Sequence, residues 1–308
     1  MKILLFTTGG TIASIIDDGV IDVTPQGKLL VLKKYKEIDK DTEFEVVSPV
    51  NILSENVQLT DYKAIVEAFK NIDTSLYDGV IVTHGSDTLA YTSALLGILF
   101  SNIHKPVCVV AADKSLQDEK SNGMDNFCVA VEIIKNGMCG VFVPYRNGDN
   151  KVYIHNGVEL FESDTLSDDF YSLGGAYAVF ENGSIVKNKE SNSLYSVDVE
   201  KANLNFDKRI MQVMPYPDLD YSRLDVKVAD AVLHRTYHAG SVCAVGNSNN
   251  CITTLIEKCR KDNVPLYICG LKTGKDNYYS MSSIMDKGVK LLYDMAPACA
   301  YMKLMLES

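Results

Sequence analysis

Short, wholly apolar runs alternate along this chain with longer segments in which apolar residues recur every three or four positions. Residues 1–6, 79–83 and 106–112 are continuous apolar or β-branched runs, the pattern of strands buried on both faces. Between the first two, Tyr62, Ile65, Val66 and Phe69 fall on one stripe of a helix predicted over 61–71, with Thr60 as its cap. Leu89, Leu95, Leu96 and Ile98 belong to a helix after residue 88, and another helix runs through Phe127 to Ile134. Residues 44–50 alternate like a strand, and 140–144 with 151–155 read as a late strand pair. In 15–27, Asp18-Gly19, Pro25 and Gly27 predict a loop or short hairpin.

Strands alternating with helices predict an α/β fold: a mostly parallel, flavodoxin-like sheet domain over 1–185. A polar linker is expected over 186–209, followed by a smaller α/β domain over 210–308. The second domain carries predicted strands at 211–215, 229–234 and 264–269, and helices at 252–261 and 297–306.

Composition narrows the class of partner. The chain has 308 residues, 46% hydrophobic and 23% charged, which suits two folded domains and excludes disorder. A net charge of −10 and a pI near 5.0 argue against nucleic acid or an anionic membrane surface as partner. No apolar run is long enough to span a bilayer, and the N-terminus enters a strand and its Gly-Gly turn at once, so a cytoplasmic protein is expected. The eight cysteines form no CxxC pair and no zinc spacing with histidine, so free, buried thiols in a reducing compartment are expected.

Two segments carry candidate chemistry. Thr7-Thr8-Gly9-Gly10-Thr11-Ile12-Ala13-Ser14 follows the first strand, and its glycines let the backbone approach a ligand closely just before the Thr11 hydroxyl. Thr83-His84-Gly85-Ser86-Asp87-Thr88 follows a second strand and opens a helix, placing a hydroxyl beside a carboxylate and free N–H groups. Singly, the first is a tight connection and the second a helix capped by Ser86 or Asp87. Together, parallel strands deliver both to one sheet edge, where a nucleophile, a carboxylate and oxyanion donors can meet one small ligand.

The two segments resemble the paired signatures of the bacterial L-asparaginase/glutaminase family, type I-like, with Ser86 standing for the first Thr of His-Gly-Thr-Asp-Thr. Residues 105–107, 121–127, 294–295 and 303–305 are also similar to the family, more weakly. The resemblance implies hydrolysis of L-asparagine to L-aspartate and ammonia, with Thr11 attacking the side-chain amide to form an acyl-enzyme. It implies that Ser86 and Asp87 bind substrate and relay a proton, that Asp87 and Glu55 face the α-ammonium, and that Ser54 grips the α-carboxylate. Gly10 and Gly85 would contribute backbone to the substrate site. It implies no metal or organic cofactor, and assembly as a homodimer or homotetramer. The family also uses a Tyr on the loop beside the nucleophile and a Lys that pairs with the second signature; here Val20 and Glu162 align with those positions. Lys114, Lys120, Tyr171 and Tyr237 are candidate substitutes. His84 is expected to be structural, and Tyr278-Tyr279 to line a subunit contact or pack internally.

A catalytically weak or inactive amino-acid-binding homologue is the alternative reading. A nucleotide-binding module is disfavoured because Gly9-Gly10-Thr11 lacks the GxGxxG and GxxxxGK[ST] spacings.

Overall fold

The computed structural model describes residues 1–17, 20–23, 25–189, 195–246, 248–274 and 278–307, with backbone alone for 16, 17, 20–23, 25, 26 and 28. The chain divides into two compact units, 1–206 and 207–307.

The first unit opens with β1 (Lys2–Thr7), a hairpin of β2 (Ser14–Asp17) and β3 (Val20–Val23), α1 (Pro25–Ile38) and β4 (Glu43–Val47). Then come α2 (Leu59–Lys70), β5 (Gly79–Thr83), α3 (Leu89–Phe100), β6 (Pro106–Val110), α4 (Gly123–Lys135) and β7 (Gly140–Arg146). β8 (Val152–Asn156), β9 (Ala178–Glu181) and β10 (Ser184–Lys187) complete an eight-stranded sheet of order β10-β9-β8-β7-β6-β5-β1-β4. The strands from β4 to β7 pair in parallel, and β8, β9 and β10 continue the sheet antiparallel. Counted along the chain, the parallel strands stand 2-1-3-4-5, the flavodoxin-like order.

That order has one reversal, between β1 and β5. Connections leaving those two neighbours go to opposite directions along the sheet, which opens a crevice at their carboxyl ends. The register sets Leu5 beside Ile81 and Thr7 beside Thr83, so both chemical segments leave the sheet at the same level.

The apolar runs fold as strands because both faces are covered. Ile3 and Leu5 join Ile81, Cys108, Val131 and Phe127 in one core, while Phe6 stacks on Phe69 of α2 at 4.7 Å between ring centroids. Ten of the twelve residues of α3 are buried, so its sequence is apolar all round rather than striped.

The second unit holds β11 (Ile210–Val213), β12 (Ala231–Arg235), α5 (Ile252–Lys261), β13 (Leu266–Leu271), α6 (Tyr279–Ser282), β14 (Lys290–Tyr293) and α7 (Pro297–Leu306). Its four strands form a parallel sheet of order β11-β12-β13-β14.

Several local expectations are corrected. The expected loop through Gly27 ends in a helix: Pro25 opens α1, where its missing N–H costs nothing. Gly27 is buried there, and a Cβ on it would lie 2.1 Å from the Ala13 carbonyl oxygen. α2 starts before Thr60, with Gln58 as its cap, because the Gln58 N–H donates to Asp61 Oδ2 at 2.8 Å. The stretch 186–209 begins inside β10, and the Val197 N–H donates to the Ile98 carbonyl. β9, β10 and β14, short edge or near-edge strands, are additional to the strands that the sequence predicts. Cys139 and Cys243 are exposed, unlike the buried thiols of Cys108, Cys251, Cys259, Cys269 and Cys299.

Candidate active site

Three loops meet where β1 and β5 end. The Ile52 N–H donates to the Thr8 carbonyl at 3.0 Å and the Gly10 N–H to the Ile52 carbonyl at 3.1 Å, so the 51–54 segment extends the ladder beyond β1. On the other side, the Thr8 N–H and hydroxyl both donate to the Thr83 carbonyl, at 3.2 and 2.8 Å.

Only glycine fits at the centre. Gly9 and Gly10 have φ of 117° and 77°, in the region that disfavours a side chain. A Cβ on Gly10 would lie 2.2 Å from the Gly85 nitrogen, and one on Gly85 would lie 2.3 Å from Ser54 Oγ. The backbone of the first segment therefore rests directly on that of the second, and the second on Ser54.

Ser54 is buried and joins the loops through its side chain. Its hydroxyl donates to Asp87 Oδ2 at 2.9 Å and accepts from the Asp87 N–H at 3.3 Å. The Thr88 hydroxyl donates to the Ser54 carbonyl at 3.0 Å. These bonds fix the Asp87 carboxylate while leaving the residue exposed. Among the described residues, neither Asp87 nor Glu55, also exposed, forms an ion pair. Thr11 begins a single 3₁₀ turn, Thr11–Ala13, whose Ile12 and Ala13 are buried. The side-chain oxygens of Thr11 and Ser86 accept and donate no hydrogen bond among the described residues, and both residues are partly exposed. The structure thus brings Gly10, Ser54, Gly85 and Asp87 together, with Thr11, Glu55 and Ser86 adjoining them in the chain.

His84 is committed to structure. Its N–H donates to the Val110 carbonyl, tying this loop to β6. Nδ1 lies 2.8 Å from the Gly85 carbonyl, which can only accept, so Nδ1 carries the proton; Nε2 then accepts from the Thr92 hydroxyl at 2.8 Å. Burial lowers its pKa and keeps the ring neutral.

The comparisons with known proteins agree with this frame. A family model described as "Asparaginase, N-terminal" matches residues 2–189. The chain belongs to the asparaginase family. A glutamyl-tRNA(Gln) amidotransferase subunit of Saccharolobus solfataricus is 26% identical over 322 residues, covering 99% of this chain and 70% of that protein. The corresponding protein of Sulfolobus acidocaldarius is 25% identical, with the same coverage. Two solved structures share the fold at 21% identity. The thermostable L-asparaginase from Thermococcus kodakarensis superposes with a TM-score of 0.75 over 99% of this chain and 92% of its own. L-asparaginase I from Vibrio cholerae gives 0.72 over 99% and 91%.

Within the family frame, the aligned departures have definite places. Val20 starts β3, paired with Asp17 across the hairpin that follows Thr11. Glu162 is bonded to Tyr91 of α3, whose hydroxyl donates to Glu162 Oε1 at 2.7 Å. Among the described residues, the candidate substitutes of the first unit form no bond to the pair. Lys114 and Lys120 are exposed, and among the described residues neither ammonium is bonded to Ser86 or Asp87. The Tyr171 hydroxyl donates to Asp169 Oδ2 at 3.2 Å, and Tyr237 belongs to the second unit. The Tyr91–Glu162 contact is not legible in the sequence, since it joins positions 71 residues apart. Tyr278 and Tyr279 are exposed. Among the described residues no group of three or more His, Cys, Asp and Glu could hold a metal ion, and no helix is long and apolar enough to cross a membrane.

Proposed function

We propose that this chain is an amidohydrolase of the L-asparaginase type, converting L-asparagine to L-aspartate and ammonia with Thr11 as nucleophile. The observation that carries the reading is the glycine-locked meeting of the Thr8–Thr11 and His84–Asp87 loops at the sheet's reversal, with Ser54 bonded to Asp87. Thr11 attacks the side-chain amide carbon, its proton leaves for a base, and ammonia departs from an acyl-enzyme that water then hydrolyses. Backbone N–H groups at the start of the 3₁₀ turn and of α3 face the developing oxyanion. The Ser54 hydroxyl grips the α-carboxylate, Ser86 binds substrate and relays the proton, and the carboxylates of Asp87 and Glu55 attract the α-ammonium.

The reading extends to a cytoplasmic homodimer or homotetramer of type I character, in keeping with the family resemblance and the acidic surface charge. Purified protein is expected to release ammonia from asparagine in a coupled assay, and Thr11→Ala to abolish it. Saturable aspartate binding without ammonia release from any side-chain amide supports the inactive binding homologue instead.

A second reading is favoured by the relatives named as amidotransferase subunits, which match 99% of the chain. In it the same nucleophile works on glutamine and hands ammonia to a partner. Ammonia release from glutamine faster than from asparagine selects this reading.

A further inference from the structure

The proposed reaction needs a group to take the proton of the attacking hydroxyl, because a free alcohol is almost wholly protonated at neutral pH. The obvious neighbours are occupied. His84 is buried, with both ring nitrogens bonded, one as donor to Gly85 and one as acceptor from Thr92. The Asp87 carboxylate is held by the Ser54 hydroxyl and is required, in the reading above, for the substrate ammonium.

One further titratable pair is delivered to this end of α3. The segment after β8 runs alongside the helix toward its start: a Cβ on Gly157 would meet the Ser93 carbonyl, Val158 packs against Gly97, and Glu162 reaches Tyr91. Tyr91 is in the first turn of α3, three residues after the cap position Thr88 and four after Asp87. Side chains on a helix lean toward its N-terminus, so the phenol extends toward the loop that carries Ser86 and Asp87. The partial positive charge at the amino end of a helix favours a carboxylate near its first turn, and Glu162 accepts from the hydroxyl of Tyr91 in that turn. Both side chains are partly buried, which strengthens the bond between them and limits its exchange with water.

We propose that Tyr91 and Glu162 form the proton-accepting pair of this site, an inference that rests on the amidohydrolase reading. As the Thr11 Oγ1–C bond forms, the Oγ1–H bond breaks and its proton passes, through Ser86 or a water, to the Tyr91 oxygen. The phenol's own proton moves across the 2.7 Å bond to Glu162 Oε1. The carboxylate becomes neutral while the amide oxygen becomes negative. When the tetrahedral intermediate collapses, the C–N bond breaks and the proton returns along the same path to the leaving nitrogen, releasing ammonia. Deacylation repeats the sequence with water as nucleophile. No other reactant is required.

Glu162→Gln is the discriminating variant, because the amide oxygen still accepts from Tyr91 but cannot take up the proton. It is expected to lower kcat about 100-fold or more while KM, aspartate binding and the thermal midpoint stay near those of the wild type. Glu162→Asp, which keeps a carboxylate, should restore part of the rate. Tyr91→Phe should lose a comparable factor, and the double variant should lose little more than either single one. A Glu162→Gln enzyme that keeps more than half of wild-type kcat overturns the inference, as do fully additive losses. Wild-type protein that binds aspartate but releases no ammonia from asparagine or glutamine overturns the amidohydrolase reading itself, and the inference with it.

Discussion

Two sheets in this chain contain runs of parallel strands, and among the described residues only the first reverses its strand order. In the first unit the strand order reverses between β1 and β5, and the loops leaving those strands carry Gly9, Gly10, Thr11, Gly85, Ser86 and Asp87. In the second unit the order β11-β12-β13-β14 follows the chain without reversal. Strand composition does not separate the two, since β5 and β12 are both largely buried. Topology does, because neighbouring strands leave a crevice only where their connections diverge. The polar groups differ accordingly. At the end of β5, His84 has both nitrogens bonded and anchors a loop. In β12, His234 Nε2 meets the Tyr221 hydroxyl at 2.9 Å, while Nδ1 is buried without a hydrogen-bond partner among the described residues.

The largest effect that would break this comparison is on the nucleophile. Thr11→Ala should lower kcat by at least about 10³-fold without changing the thermal midpoint, and an active Thr11→Ala protein would take the role of nucleophile from Thr11. Next comes the glycine lock. Gly10→Ala puts a Cβ 2.2 Å from the Gly85 nitrogen at a φ of 77°. It should cost on the order of 3 kcal/mol of stability, read by chemical denaturation. Gly240→Ala in the second unit has a φ of 79°, yet its nearest neighbour would stand 3.6 Å from the new Cβ. It should therefore cost clearly less, and equal losses would contradict the idea that crowding, rather than backbone conformation, sets the first site.

Ser54→Ala removes a bond to a charged group, so KM for asparagine should rise about tenfold at nearly constant kcat. The last substitution bears on the histidine of the second sheet, with the weakest effect expected on activity. Folding holds His234 neutral, its pKa lowered by burial to about 4 from 6.5. The unfolded chain takes up a proton below pH 6.5 that the folded chain refuses, so stability is lost as pH falls from 6.5 to about 4. Each such histidine contributes a slope of about 1.4 kcal/mol per pH unit within its window. His234→Phe should flatten the acid side of the stability curve and leave ammonia release within about twofold, which paired denaturation and activity measurements would check.

Much of this frame is legible in the sequence, for identifiable reasons. Strands buried on both faces leave unbroken apolar runs, as in β1, β5 and β6. α5 and α7 take the predicted bounds, Ile252–Lys261 and Pro297–Leu306, because Pro297 and the flanking polar residues mark their ends. The two signature segments are local in sequence, and their convergence follows from parallel pairing. What stays hidden is long-range or depends on context. Pro25 and Gly27 are turn residues in isolation, and only the packing of Gly27 against Ala13 makes them the start of a helix. The Ser54–Asp87 bond and the Tyr91–Glu162 bond each join residues far apart in the chain. Short strands such as β9, β10 and β14 draw their identity from the neighbour they pair with.

The central claim is that Thr11 is the nucleophile at the β1–β5 crevice. It is tested most directly by covalent trapping with an electrophilic asparagine analogue whose side-chain amide is replaced by a diazoketone, followed by peptide mass mapping. One adduct per chain is expected, on Thr11, suppressed by excess aspartate and absent from Thr11→Ala. An adduct on Ser86 or in the second unit, or none at a concentration where aspartate binds, would contradict it.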